Sequence, residues 1–171
     1  MVWEASQFFE SLTKNNKFAQ QHKFRFCKVS GLTGFEEAVA TMQNTTAFVC
    51  VSDIAQGTTS IDNTPHIEKV RTVFLAMRHA IDNMAARQEC MRIMHELFRQ
   101  FMTVLIKQKT HLQENCIYLD ERISFQEIDQ YFFSGCAGAW FQIKVNNYID
   151  LRFDPSEREG EWAADFGCPQ K

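Results

Sequence analysis

The sequence predicts an α+β fold in which a mostly antiparallel sheet packs against one long amphipathic helix. Apolar residues recur at steps of three and four over 85–109, and several later segments alternate apolar and polar residues with the period of two that is typical of strands. Only 7 Gly and 3 Pro occur among 171 residues, which excludes collagen-like and low-complexity chains. We expect a single α+β domain over 1–155 and an acidic C-terminal arm over 156–171.

Three segments are predicted to be helical. The aromatic and apolar residues between Trp3 and Leu12 recur at helical spacing, and residues 35–42 form a second short helix with Thr33 as its expected N-cap. The long helix over 85–109 places its apolar residues on one face and its charged residues on the other. That apolar face requires a covering layer, which the sheet supplies.

The remaining segments predict strands. Residues 46–52 are rich in β-branched and aromatic side chains and predict a buried strand, while 58–61 can extend as a hairpin arm. Apolar residues on both faces of 70–78 favour a central strand, although a helical turn fits the same run. Period-two alternation predicts the later strands, which are 117–119, 123–128, 139–145 and 149–153. A tight turn is expected at Asn146-Asn147, and a turn or bulge where Gly135 and Gly138 bracket Cys136-Ala137.

The net charge of −3 hides an uneven distribution. Residues 1–65 carry 5 basic and 6 acidic side chains, residues 66–111 carry 8 and 4, and residues 112–171 carry 5 and 11. A dedicated nucleic-acid binder usually has a strongly basic total, so this class is disfavoured. The basic middle and acidic end are either ordinary solvated surfaces or complementary patches between identical copies.

Sequence motifs give no support for catalysis or cofactor binding. The common nucleotide, metalloprotease, hydrolase and calcium-loop patterns are absent, and the six cysteines and five histidines lack zinc-site spacing. We therefore expect no enzyme activity, no cofactor and no metal. The longest apolar runs are far shorter than the roughly 18 residues that cross a bilayer, so no membrane association is expected either.

Aromatic residues exceed what one core requires. The chain has 16 Phe, 3 Trp and 3 Tyr, and adjacent aromatics such as Trp140-Phe141 lie on opposite faces of a predicted strand. One face of that strand is then either a buried central surface or part of a subunit interface, where aromatics are enriched. The residues that we predict at a subunit interface are Arg87, Arg92, Arg99, Trp140, Asp154, Trp162 and Phe166.

The order of these segments resembles a known family over roughly residues 30–155. The stretches that carry the resemblance are Val29-Ser30-Gly31-Leu32-Thr33-Gly34-Phe35-Glu36-Glu37-Ala38, the strand at 48–51, the run over 70–77, the long helix, and Gly135-Cys136-Ala137-Gly138-Ala139-Trp140-Phe141. This arrangement is similar to the neck and tail-completion proteins of tailed bacteriophages, in the tail-terminator or head-tail connector ring class, with a Bacteroidetes phage as the expected source.

The resemblance implies a non-enzymatic virion protein. It implies a sixfold or twelvefold homo-oligomeric ring that joins the tail tube to the connector or portal complex, with DNA passing through its lumen without specific binding. It also implies assembly in the cytoplasm of the bacterial host and residence in the neck or tail of the virion.

Two other functions stay open from the residues alone. A small α+β enzyme or ligand-binding domain would need a pocket between helix and sheet, near Cys136 or His79. Nucleic-acid binding would use arginines of the basic middle, among them Arg78, Arg87 and Arg92, although acidic residues lie between them.

Overall fold

The computed structural model describes residues 3–53, 56–61, 65–80, 82–128 and 135–149. These residues form helices and strands in the order α1 (Ala5–Asn15), α2 (Lys17–Gln21), β1 (Phe24–Val29), α3 (Gly31–Thr41), β2 (Ala47–Ser52), β3 (Gln56–Ser60), β4 (His66–Arg78), α4 (Met84–Glu114), β5 (Ile117–Leu119), β6 (Phe125–Ile128) and β7 (Cys136–Tyr148). The predicted α+β class, with one long helix against a mostly antiparallel sheet, is confirmed.

The sheet is built around two long strands. β4 and β7 are 13 residues each and pair antiparallel along their whole length. β2 and β3 pair one after the other along the free side of β4, and β5 and β6 do the same along β7. β1 completes the sheet beside β2, and it is the parallel partner because α3 carries the chain back between them.

Each face of the sheet has its own apolar cluster. Alternation along β7 directs Phe141, Ile143 and Val145 toward one face, where they pack with the buried sides of α1 and α4. We call this the first face. On the second face, α3 contributes Phe35 and Val39 to a smaller cluster that includes residues of β2 and β4. The helices thus form one layer on each side of the sheet.

Helix α4 matches the helix predicted over 85–109 and extends beyond it at both ends. The Asn83 side chain accepts a hydrogen bond from the Ala86 amide at 2.9 Å, which satisfies one of the unpaired donors at the helix start. Leu112, seven residues after Leu105, continues the buried stripe past the predicted end. The chain leaves the helix at Cys116, whose φ of 57° cannot continue a right-handed helix.

The strands predicted over 46–52, 58–61, 70–78, 117–119 and 123–128 are confirmed with shifts of a few residues. For 70–78 this settles the choice between strand and helical turn in favour of a strand at the centre of the sheet. The strand predicted over 139–145 is also confirmed, and it is longer at both ends. Of the strand predicted over 149–153, only Ile149 belongs to the described residues. The predicted arm over 156–171 lies outside them.

Three local predictions are wrong. Asn146 and Asn147 form no turn, because they stay paired with Glu68 and Ile67 of β4. Gly138 lies in regular strand and not at the expected turn or bulge, and of these two glycines it is Gly135, with φ 82°, that has the left-handed backbone that favours glycine. Thr33 does not cap α3, which begins two residues earlier.

Two elements were not predicted from the sequence, α2 and β1. The side chain of Asn16 caps α2 by accepting a hydrogen bond from the Ala19 amide at 2.8 Å. β1 is an edge strand of six residues, and Lys23, with φ 57°, turns the chain into it from the short helix. Both are short segments, for which local sequence patterns are weak.

Candidate functional site

The arginines of α4 are largely paired within their own helix. Arg92 donates hydrogen bonds from Nε and Nη2 to the two oxygens of the Glu89 carboxylate, at 2.8 and 2.6 Å. Arg99 donates to Glu96 through the same two nitrogens at the same two distances. Hydrogen bonds from Arg99 lower the pKa of Glu96 to about 2, and Arg92 lowers the pKa of Glu89. Each of these arginines therefore presents an ion pair to a partner rather than an isolated positive charge.

The three predicted arginines do not form one patch. Arg92 and Arg99 are seven residues apart and lie on the same side of α4, while Arg87 is about 140° away around the helix axis from Arg92. Arg87 is half-buried in the first turns of α4, and its Nε has no hydrogen-bond partner among the residues that the structure describes.

Trp140 lies on the opposite side of the sheet from these arginines. It pairs in register with Phe74 of β4 and Gln126 of β6, and its side chain is half-buried against the cluster beneath α3. Asp154, Trp162 and Phe166 lie outside the described residues. The predicted interface residues that can be placed are thus divided between two faces of the molecule.

Beyond Trp140, the second face of the sheet carries a surface of a different character. Its residues share three properties: they alternate toward the second face, they are half-buried or exposed, and they belong to neither apolar cluster. On β4, β5 and β7 they are His66, Glu68, Val70, Thr72, Tyr118, Gln142, Lys144, Asn146 and Tyr148, and we call them the open half-face. Tyr118 is 51 % exposed. Apart from the ionisable His66, Glu68 and Lys144, these side chains are neutral polar, aromatic or aliphatic, and a broad sheet surface of this kind with exposed aromatic rings is suited to protein contact.

The outer strands of the described sheet differ in charge. Residues 23–29, which lead into and form β1, contain three basic and no acidic residues, and all three basic side chains are exposed. Residues 117–128, which contain β5 and β6, have three acidic residues and one basic residue. Two of those carboxylates also contact α4, since Lys109 donates to Glu121 and His95 Nε2 lies 3.0 Å from a Glu127 oxygen.

A groove separates the second half of α4 from the β5 and β6 segment on the first face. It measures about 450 Å³ and is lined mainly by apolar side chains, which include Phe98, Met102, Leu105, Ile106, Leu119 and Phe125. Ile106 is 72 % and Phe125 53 % exposed at its rim. No sequence pattern indicated this groove, although Ile106 and Phe125 belong to a helix and a strand that were predicted.

The positions suggested for a pocket near Cys136 or His79 have other surroundings. Cys136 is fully buried in the cluster beneath α3, and burial raises the pKa of its thiol, so the reactive thiolate is disfavoured. Large side chains, including Phe9, Phe101 and Phe141, fill the space between α4 and the middle of the sheet. His79 Nδ1 lies 2.9 Å from the Ala80 carbonyl oxygen.

Within the described ranges, no group of His, Cys, Asp or Glu has the geometry to hold a metal ion. None of the helices described is long and apolar enough to span a membrane. Comparison with known proteins matches the chain to no family model and to no curated protein.

Proposed function

We propose that this chain is a non-enzymatic structural subunit of a ring at the neck or tail end of a tailed bacteriophage, where it joins the tail tube to the connector or portal complex. The segment order in the sequence motivates the proposal. The observation that carries it is the pair of outer strands of opposite charge, because head-to-tail contacts that close a ring need two different and complementary surfaces on each subunit.

In this proposal, β1 of one subunit faces the β5 and β6 segment of the next. Arg25 and Lys28 of β1 then approach Glu121 and Glu127 of the neighbour. Charges of opposite sign set the register and orientation of such a contact, while backbone groups along the two edges supply hydrogen bonds. The open half-face, with Trp140 at its border, is left to meet a protein above or below the ring.

Light scattering after size-exclusion chromatography, with electron microscopy of the purified protein, tests the proposal. We expect a closed ring, either of the chain alone or after mixing with portal, connector or tail-tube proteins from the same genome. A chain that stays monomeric at all concentrations and binds none of these proteins would overturn the proposal.

Charge reversal tests the specific contact. We expect the double substitution Arg25→Glu and Lys28→Glu to weaken assembly roughly tenfold or more, because like charges then meet across the interface. Glu121→Lys with Glu127→Lys in a second chain should restore assembly when the two variants are mixed. Lys107→Glu, a reversal at an exposed site on α4, is the matched control and should leave assembly unchanged. Equal effects of control and edge variants would contradict the contact.

A further inference from the structure

The apolar groove beside α4 has no occupant among the described residues, and its rim is unusually apolar for a surface. Met102 and Leu105 of α4 form one wall, Leu119 and Phe125 the other, and Ile106 stands at the mouth. A volume of about 450 Å³ lies within the range of roughly 300–1,000 Å³ that is usual for ligand pockets. Its apolar lining suits aromatic or aliphatic side chains.

The part of the chain that follows Ile149 is long enough to reach this groove. Leu119 in the groove wall pairs with Val145 of β7, and β7 has left the sheet by Ile149, four residues or about 13 Å further along. Trp162 follows 13 residues later, and a flexible chain of that length spans about 20 Å on average. The two lengths match without requiring a fully extended path.

The composition of the segment also matches the groove. In an extended chain, residues two apart point the same way, so Trp162, Ala164 and Phe166 share one side and Asp165 lies on the other. Residues 154–166 contain five acidic residues and one basic residue. Residues 97–113, the part of α4 that borders the groove, contain three basic and no acidic residues. Arg99 is paired with Glu96 and Lys109 with Glu121, so among the described residues Lys107 is the cation of this stretch without an ion-pair partner. Because Asp120 and Glu121 also line the groove, the match rests on the apolar side chains and on Lys107.

We propose that in the free subunit the groove is the docking site for the chain's own C-terminal segment, with Trp162 and Phe166 as its apolar anchors. The acidic residues of the segment then lie toward the Lys107 side of α4. Tethering gives the segment a high effective concentration at the groove, so a modest contact suffices to keep it bound. This inference is independent of the ring, because it concerns the single chain.

Nuclear magnetic resonance of the full chain tests this docking through substitutions in the C-terminal segment and, separately, in the groove. We expect the double substitution Trp162→Ala and Phe166→Ala to shift the methyl signals of Met102, Ile106 and Ile123 and to leave those of buried methyls under α3 in place. Conversely, Ile106→Glu should expose the Trp162 indole N–H to rapid solvent exchange. Ile106 is already 72 % exposed, so this change leaves the fold intact.

Ile61→Glu is the matched control, since Ile61 is 87 % exposed and lies at the end of β3, away from the groove. It should leave the Trp162 indole as protected as in the unsubstituted chain. In the Arg25→Glu, Lys28→Glu chain, which should not assemble, the groove-methyl and Trp162 signals should also be unchanged on a hundredfold dilution, as an intramolecular contact requires. Groove methyls that ignore the loss of Trp162 and Phe166 would overturn the proposal. Signals that change on dilution would overturn it as well, because the occupant is then a second copy.

Discussion

We expect truncation of the Phe141 side chain to lower the free energy of unfolding by a clearly measurable amount. This residue is fully buried at the centre of β7, on the face covered by α4, and its ring contacts Phe9 at 5.8 Å and Phe98 at 5.0 Å between centroids. Truncating a buried Phe to Ala costs about 3–5 kcal/mol. Aromatic contacts of this kind contribute about 0.5–1.5 kcal/mol each within that total. We expect Phe141→Ala to lower the free energy of unfolding by about 4 kcal/mol.

Phe125 provides the matched control, because it is the same residue type, pairs with Phe141 in register and is 53 % exposed. Phe125→Ala should cost about 1 kcal/mol, since most of its surface already meets solvent. Urea unfolding followed by far-ultraviolet circular dichroism measures both changes. Small domains have only about 5–15 kcal/mol of stability, so Phe141→Leu serves as a milder variant, with an expected cost of about 1–2 kcal/mol. Equal losses for Phe141→Ala and Phe125→Ala would refute this account of the core.

Three further predictions concern stability. Gly138→Ala should destabilise by about 1–3 kcal/mol in urea unfolding, because its Cβ would lie 2.7 Å from the Leu75 carbonyl oxygen. Gly34→Ala, inside α3 with its nearest contact at 3.4 Å, should instead stabilise by up to about 1 kcal/mol, and a loss there would contradict the space seen around it. Arg99 holds the pKa of Glu96 at about 2, below its unfolded value. This contribution to stability is present above about pH 4.5 and is lost as the pH falls toward 2, so urea midpoints of the unsubstituted chain and Glu96→Gln should differ at pH 6 and converge near pH 2. A difference that persists unchanged at pH 2 would show that the carboxylate charge is not its source.

The long helix and the central strands could be predicted because their burial repeats along the chain. In α4, Cys90, Met94, Leu97, Phe101 and Leu105 all contact one apolar layer, so the helical period is visible over many turns. β2 is buried on both faces, which leaves a continuous apolar run in the sequence. Such signals depend on one residue and its near neighbours, and a single sequence contains them.

The errors arose where a partner distant in sequence decides the local structure. Asn146 and Asn147 have the composition of a turn, yet β4 on one side and β5 on the other supply their hydrogen-bond partners. Thr33 follows the chain break that suggested a cap, but α3 already begins at Gly31. In both cases long-range pairing or packing outweighs a local preference worth about 1 kcal/mol.

The interface residues show the same division. The sequence singled out Trp140 because adjacent aromatics alternate across a strand, and the structure places its side chain half-buried at the border of the open half-face, where its role at an interface stays a prediction. It also singled out Arg92 and Arg99 as interface residues among acidic neighbours, and the structure shows that each is held by a glutamate three residues earlier. The basic edge strand β1 was not predicted at all, so its charge could not be assigned to a surface.

The sequence by itself determined the α+β class, the long helix, most strands and the uneven distribution of charge, because each of these is a property of composition or of short periodic patterns. Only the tertiary structure decided which strands lie at the edges of the described sheet, which half of the second face no described helix covers, and that a groove forms between α4 and the outer strands. These features depend on how segments far apart in sequence are brought together. One order of helices and strands along the chain is compatible with several strand pairings, so local patterns cannot choose among them.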